Sequence, residues 1–293
     1  MVNSVNLACQ LGQNLPIYVL VISCLMLMSY SAPYGFDGRT DPYADDVIID
    51  SNVTLGSYVD AVASEWGPAV ATWYGEPDGF GSDGGACGYG ADVGKAPFSS
   101  MVSAGGPSLF LSGKGCGTCY QVKCSANDAC SGNPVTVVIT DNCAGGPCAS
   151  DATHFDLSGT AFGALASSGL ENTLRNAGSI DIEFQRVECS YPETPLTFKI
   201  DSGSNPNYLA VLIEYVSGDG DLAQVELQET SVSDSWLPMQ QSWGAVWALN
   251  SGSPLQGPFS IRITTSAADS LVAENVIPAD WVAGGSYTAD VSF

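Results

Sequence analysis

The stretch HFDLSGTAFGALA, His154 to Ala166, changes its period midway. In the first half, apolar Phe155 and Leu157 alternate with His154, Asp156 and Ser158, the pattern of a strand with one buried face. In the second half, Ser158 stands where a helix cap would, ahead of a turn that buries Phe162 and Leu165. The strand reading sets His154, the sole histidine of the chain, on one face with Asp156. Apolar anchors on the other face would hold that carboxylate toward a cleft, as a positioned acid requires. The alternative is that Asp156 caps the turn and His154 simply packs.

The same period-2 pattern recurs on both sides. PVTVVITD, ending at Asp141, is strand-like, and in SIDIEFQRVEC Ile180, Ile182 and Phe184 alternate with Asp181, Glu183 and Gln185. Beyond the last cysteine, YPETP (191–195) stops regular structure twice in five residues and reads as a linker. Past it come LTFKID, YLAVLIEYV, LAQVELQET and PFSIRITTS, each of strand length, with SGDGD between the second and third signalling a hairpin. In the last run Phe259, Ile261 and Ile263 point one way. Short strands separated by turns predict an all-β sandwich.

At 293 residues the chain is long enough for two domains, and 45% hydrophobic content supplies their cores. Eight Lys and Arg against 31 Asp and Glu give a formal charge of −23, a field that repels nucleic acid and anionic membranes. The apolar run Ile17 to Met28, followed by Ser29 and Ser31, reads as a signal peptide over 1–31, so membrane contact would be transient; a signal anchor is the alternative. Residues 32–62 read as an extended lead-in, and Asn52-Val53-Thr54 is a glycosylation sequon. Of ten cysteines, Cys9 and Cys24 fall in the leader. The other eight lie between Cys87 and Cys189, and an even count in a secreted chain fits disulfides better than zinc held by Cys116, Cys119 and Cys124. Glycines around Gly79 to Gly90 lack the helix of a dinucleotide site, and no cofactor or metal is implied.

ATWYG, GGACGYG, GKGCGTCYQVKC, SGNPVTVVITD, HFDLSGTAFG, NPNYLAVLIEYV, SWGAVW and GPFSIRIT follow one another in that order. Together, from about Ala71 almost to the C-terminus, they resemble a β-expansin of plant cell walls. The resemblance implies a six-stranded double-psi β-barrel over 63–190, related to family 45 glycoside hydrolases, and an immunoglobulin-like, cellulose-binding β-sandwich over 196–293. It also implies the bridges Cys87 to Cys116, Cys119 to Cys189 and Cys124 to Cys130, with Cys143 and Cys148 closing a small extra loop. The activity implied is that of a secreted, monomeric cell-wall protein that loosens contacts between cellulose and hemicellulose without hydrolysis.

Asp156 matches the position of the general acid in the related hydrolases. Their base belongs to the region of ATWYG, where Thr72, Trp73 and Tyr74 offer no carboxylate. The polar cluster expected on the cleft floor is Thr72, Tyr74, Asp141, His154 and Asp156, with Asp141 as the charge that would help keep Asp156 protonated in an acidic wall. The aromatic row expected for stacking on glucan is Trp73 and Tyr74 from the barrel with Tyr208 and Trp243 from the sandwich. Lys199 and Arg262 are the only cations after Cys189, so a neutral glucan or neutral hemicellulose suits the surface better than an acidic xylan. Two other functions remain open: a weak endoglucanase with Asp141 or Asp83 as base, and a carbohydrate-binding protein with an inert barrel.

Overall fold

In the computed structural model, which describes residues 66–293, the first six strands close on themselves. They are β1 Gly67–Tyr74, β2 Val102–Gly105, β3 Cys119–Lys123, β4 Val135–Asn142, β5 His154–Ser158 and β6 Ile180–Val187. Around the barrel they run β1-β5-β2-β4-β3-β6, with β1 parallel to β5 and β2 parallel to β4. This is the double-psi barrel. The leader 1–31, the lead-in 32–62 and the Asn52 sequon lie outside the described residues.

Alternation fills the barrel. Ala69 and Ala71 of β1, Val137 and Ile139 of β4, Phe155 and Leu157 of β5, and Ile180 and Ile182 of β6 point inward and are buried. The short helix Gly159–Ala164 follows β5, and Ser158 caps it by accepting the Ala161 N–H at 3.0 Å. Phe162 and Leu165 are fully buried beneath it. Ser158, not Asp156, is therefore the cap, which leaves the aspartate free for another role.

Nine further strands follow: β7 Leu196–Ile200, β8 Tyr208–Glu214, β9 Leu222–Glu229, β10 Leu237–Pro238, β11 Gln240–Trp243, β12 Val246–Asn250, β13 Phe259–Thr265, β14 Ser270–Ile277 and β15 Ser286–Ala289. They form a four-stranded sheet, β10-β9-β13-β14, and a five-stranded sheet, β11-β12-β8-β7-β15. Leu209, Val211 and Ile213 of β8 face the sandwich core, whereas Ala210 and Leu212 pack with Cys87, Tyr89, Phe98 and Val102 of the barrel. Both faces of β8 are thus covered, which is why YLAVLIEYV reads as a continuous apolar run and not an alternating one.

SGDGD (217–221) is not a hairpin. It carries the chain from β8 in one sheet to β9 in the other, and on the way it docks on the barrel. Gly218 exchanges backbone hydrogen bonds of 2.7 and 3.0 Å with Cys189, and Arg186 of β6 donates to Asp221 Oδ1 at 2.7 Å. A side chain at Gly220 would meet the Gly117 carbonyl oxygen at 2.4 Å. The glycines serve close backbone approach between domains, a demand that looks locally like a tight turn.

Four disulfides join Cys87 to Cys116, Cys119 to Cys189, Cys124 to Cys130 and Cys143 to Cys148. Cys116, Cys119 and Cys124 therefore each have a sulfur partner elsewhere, and the zinc reading is set aside.

Candidate functional site

Strand register lays out one row across the outer face of the barrel. Thr72 of β1 pairs with Asp156 of β5, Asp156 pairs with Ala104 of β2, and Ala104 pairs with Asp141 of β4. Directly opposed residues share a face, so the two carboxylates flank the small Ala104 side chain. Two interstrand steps separate them, about 10 Å between Cα atoms.

Thr72 Oγ1 donates to Asp156 Oδ1 at 2.6 Å and lies 2.8 Å from His154 Nε2. His154 is buried, and its Nδ1 sits 2.7 Å from Asp151 Oδ2. Burial pushes the Asp156 carboxyl up; the Thr72 hydrogen bond and His154 oppose the rise and the Asp141 charge adds to it. Desolvation is the largest cause, and Asp141 acts in the expected direction as a smaller one.

Asp141 is braced differently. Its Oδ1 accepts the N–H groups of Ala86 at 2.6 Å and Asn142 at 2.7 Å, which fixes the 85–88 loop beside the row. The Tyr74 hydroxyl is buried without a hydrogen-bond partner. Burial, then the charges of Asp141, Asp156 and Asp83, raises its pKa. A neutral phenol with an unused donor is suited to a ligand oxygen. Asp83 itself is exposed on the loop after β1.

Trp73 does not stand beside Tyr74. Consecutive residues of a strand take opposite faces, so Trp73 joins Ala69 and Ala71 against the barrel core, near Phe162. Its Nε1–H donates to the Arg175 carbonyl at 3.0 Å, and the ring is only partly exposed. On the sandwich, Trp243 is 50% exposed whereas Trp247 is buried. A bulge before Trp243 sets it opposite Val246, on the barrel-facing side of the five-stranded sheet that Tyr208 also borders. Trp236 is occupied elsewhere, beneath the Arg262 guanidinium at 4.5 Å.

The 85–88 loop joins the two parts. At one end Ala86 is tied to Asp141; at the other the Cys87 carbonyl accepts the Ala245 N–H at 2.9 Å, and the Trp243 ring covers Gly88. Both cations of the sandwich are engaged by its own or neighbouring acids, Lys199 with Asp92 and Glu214, Arg262 with Glu226 at 2.5 Å. Asp151 was missed from sequence, although an acid three residues before the sole histidine was a readable signal. Among the described residues no helix is long and apolar enough to cross a membrane.

A family model described as the expansin C-terminal domain matches residues 196–278, and one described as lytic transglycolase matches residues 102–184. Expansin-B4 of Arabidopsis thaliana is 54% identical over 228 residues, 78% of this chain and 87% of that protein. Expansin-B11 of Oryza sativa subsp. japonica is 51% identical over 249 residues, 84% and 85% of the two chains. Among solved structures, an apo expansin of Clavibacter michiganensis superposes with a TM-score of 0.58 at 23% identity, covering 78% of this chain and 98% of that one. A mutant of the bacterial protein in complex with cellohexaose gives 0.59 at 22% identity, with the same coverage. The bacterial likeness shows the fold alone; identity above one half with plant relatives, across most of both chains, shows that this chain belongs to the B group of the expansin family.

Proposed function

We propose that the protein is a secreted wall-loosening protein that grips cellulose and neutral hemicellulose and disrupts their noncovalent contacts without cleaving them, more effectively in acid. The observation that carries this reading is the continuity of the site. A row with one half-buried acid, Asp156, runs through the 85–88 loop into an exposed Trp243 on the second domain. Such a surface meets the C–H faces of a glucan with an aromatic ring and its hydroxyls with Thr72, Tyr74 and Asp156. Family membership supports it, as does the cellohexaose complex of the bacterial relative. The two engaged cations of the sandwich favour a neutral chain over a glucuronate-bearing one.

A second reading has one observation in its favour. Asp141 and Asp156 flank Ala104 at a Cα spacing of about 10 Å, compatible with the ~6.5–9.5 Å between carboxyl groups that inverting hydrolysis uses. Against it, one oxygen of Asp141 already accepts two backbone N–H groups and braces a loop. Constant-load extension of heat-inactivated wall strips, with reducing sugars assayed in the same bath, separates the two. Acid-dependent creep without sugar release supports loosening, whereas sugar release that Asp141→Asn abolishes supports hydrolysis.

A further inference from the structure

Asp151, His154, Thr72 and Asp156 form an unbroken chain of three contacts, 2.7, 2.8 and 2.6 Å long. Hydrogen-bond inventory restricts how this chain can be protonated. Thr72 has one hydroxyl hydrogen. When it donates to Asp156, its oxygen accepts from His154 Nε2–H, and the contact of Nδ1 with Asp151 then needs a second ring hydrogen. The ring is an imidazolium between two carboxylates. In the reverse direction Asp156 donates to Thr72, Thr72 donates to Nε2, and Nδ1–H donates to Asp151.

The two arrangements hold the same number of protons and the same net charge. One becomes the other when the Nε2 proton passes to the Thr72 oxygen as the Thr72 hydrogen passes to Asp156 Oδ1. No water is needed, because the His154 side chain is fully buried. We propose that His154 and Asp156 share one proton through the Thr72 hydroxyl, and that Asp151 is the positioning residue that determines how firmly the pair holds it.

Its placement is built in. The Cys143–Cys148 loop starts beside the acid, with Cys143 Sγ 3.9 Å from Asp156 Oδ2, and ends in a turn in which Asp151 N–H donates to the Pro147 carbonyl at 3.0 Å. That turn presents Asp151 to Nδ1. The extra disulfide loop is thereby part of the site. The other titratable groups facing Asp156 are Asp141 from β4 and Tyr74 from β1; β2 contributes the Ser103 hydroxyl, bonded to the Asp156 carbonyl oxygen, and no charge. The functional consequence, a proton held by the His154–Asp156 pair at the cleft, rests on the loosening reading above.

Because His154 is the sole histidine, histidine labelling with ¹⁵N gives one ring to follow in the full chain. Long-range proton–nitrogen spectra across pH report both nitrogens directly. Asp151→Asn removes an anion that favours retention of the shared proton, so the ring transition moves about one unit toward acid, a tenfold change in proton affinity. Asp151→Glu restores it. Asp156→Asn alters the ring titration when Thr72 is present and leaves it unaltered in a Thr72→Val background. A transition that Asp151→Asn leaves in place, or a response to Asp156→Asn that survives Thr72→Val, overturns the relay. Wall creep on the same variants answers the separate question. Ring signals that move as described with no creep at any pH uphold the relay and overturn the loosening reading.

Discussion

The Trp243 ring lies over Gly88 so closely that a Cβ on residue 88 would come within 2.9 Å of its Cη2 atom. Gly88 also has φ of +92°, a backbone region that side chains rarely adopt. This contact joins the exposed aromatic of the sandwich to the loop that Asp141 braces on the barrel.

Gly88→Ala should therefore push the indole aside, since its Cβ meets Leu212 Cδ1 only at an ordinary contact distance of 3.5 Å. The expected result is a loss of cellulose affinity of about fivefold, similar to that of Trp243→Ala, in keeping with about 1 kcal/mol for a lost aromatic contact. Depletion binding to microcrystalline cellulose checks it. Unchanged affinity in both variants would remove Trp243 from the platform.

Asp156 carries a stability signature as well as a functional one. Its carboxyl is raised in the folded protein, chiefly by burial, so the folded state binds its proton more readily than the unfolded chain does. Ionisation is then penalised, and the contribution to stability falls as pH rises from the ordinary aspartate range through the raised folded value. Asp156→Asn should unfold at a higher temperature than wild type at neutral pH, with the difference vanishing in acid. Thermal midpoints at both pH values measure this; a gain at acidic pH only would contradict the sign.

Glu214 is wholly buried between the domains. Its Oε2 lies 2.7 Å from Lys199 Nζ as an ion pair, although neither carboxylate oxygen completes a well-aligned hydrogen bond, and Asp92 of the barrel meets the same ammonium. Burial pushes the Glu214 carboxyl up, and Lys199 holds it back. Lys199→Met leaves a buried acid alone, which costs ~3–5 kcal/mol at neutral pH. Below the usual carboxylate range the acid is protonated in both states and much of that loss disappears. Adding Glu214→Gln should recover most of the stability at neutral pH. Urea unfolding of the single and double variants at two pH values is the check, and a loss independent of pH would exclude this cause.

The bridges should differ in weight. Cys119–Cys189 spans 70 residues and Cys143–Cys148 spans 5. Chain-entropy reasoning gives about 4 kcal/mol for the first and about 2 kcal/mol for the second. Removing the Cys119–Cys189 pair should lower the urea midpoint more. If the short loop also orders Asp151, its removal should move the pH profile of wall creep while leaving most of the stability in place.

Strands β4, β5 and β6 were legible because they obey period 2 with one buried face, as in HFDLS, and Ser158 was legible as the cap where its helix begins, whereas closure into a barrel came from the resemblance. The sandwich was legible as strands but not as connections. SGDGD resembles a hairpin turn, and only the docking of Gly218 on Cys189 and of Asp221 on Arg186 reveals a crossing between sheets. β8 defeated alternation for a similar reason, since the barrel covers the face that a free sandwich would show to water. At the site, the period of β5 set His154 and Asp156 on one face, Thr72 entered through the resemblance carried by ATWYG, and the register of β1 on β5 brings the three side chains together. Trp73 was placed beside Tyr74 against that same rule. Asp151 follows the Cys143–Cys148 loop, at the end of the turn that begins at Pro147, a path no periodicity describes, and only the fold brings it to His154.

The measurement that bears most directly on wall loosening by Asp156 is extension and cellulose binding on the same wall strips, for wild type and Asp156→Asn, at acidic pH. Extension should be lost in the variant while the bound amount stays nearly the same, with no sugar released by either protein. Full extension by Asp156→Asn would show that the acid is not the working group.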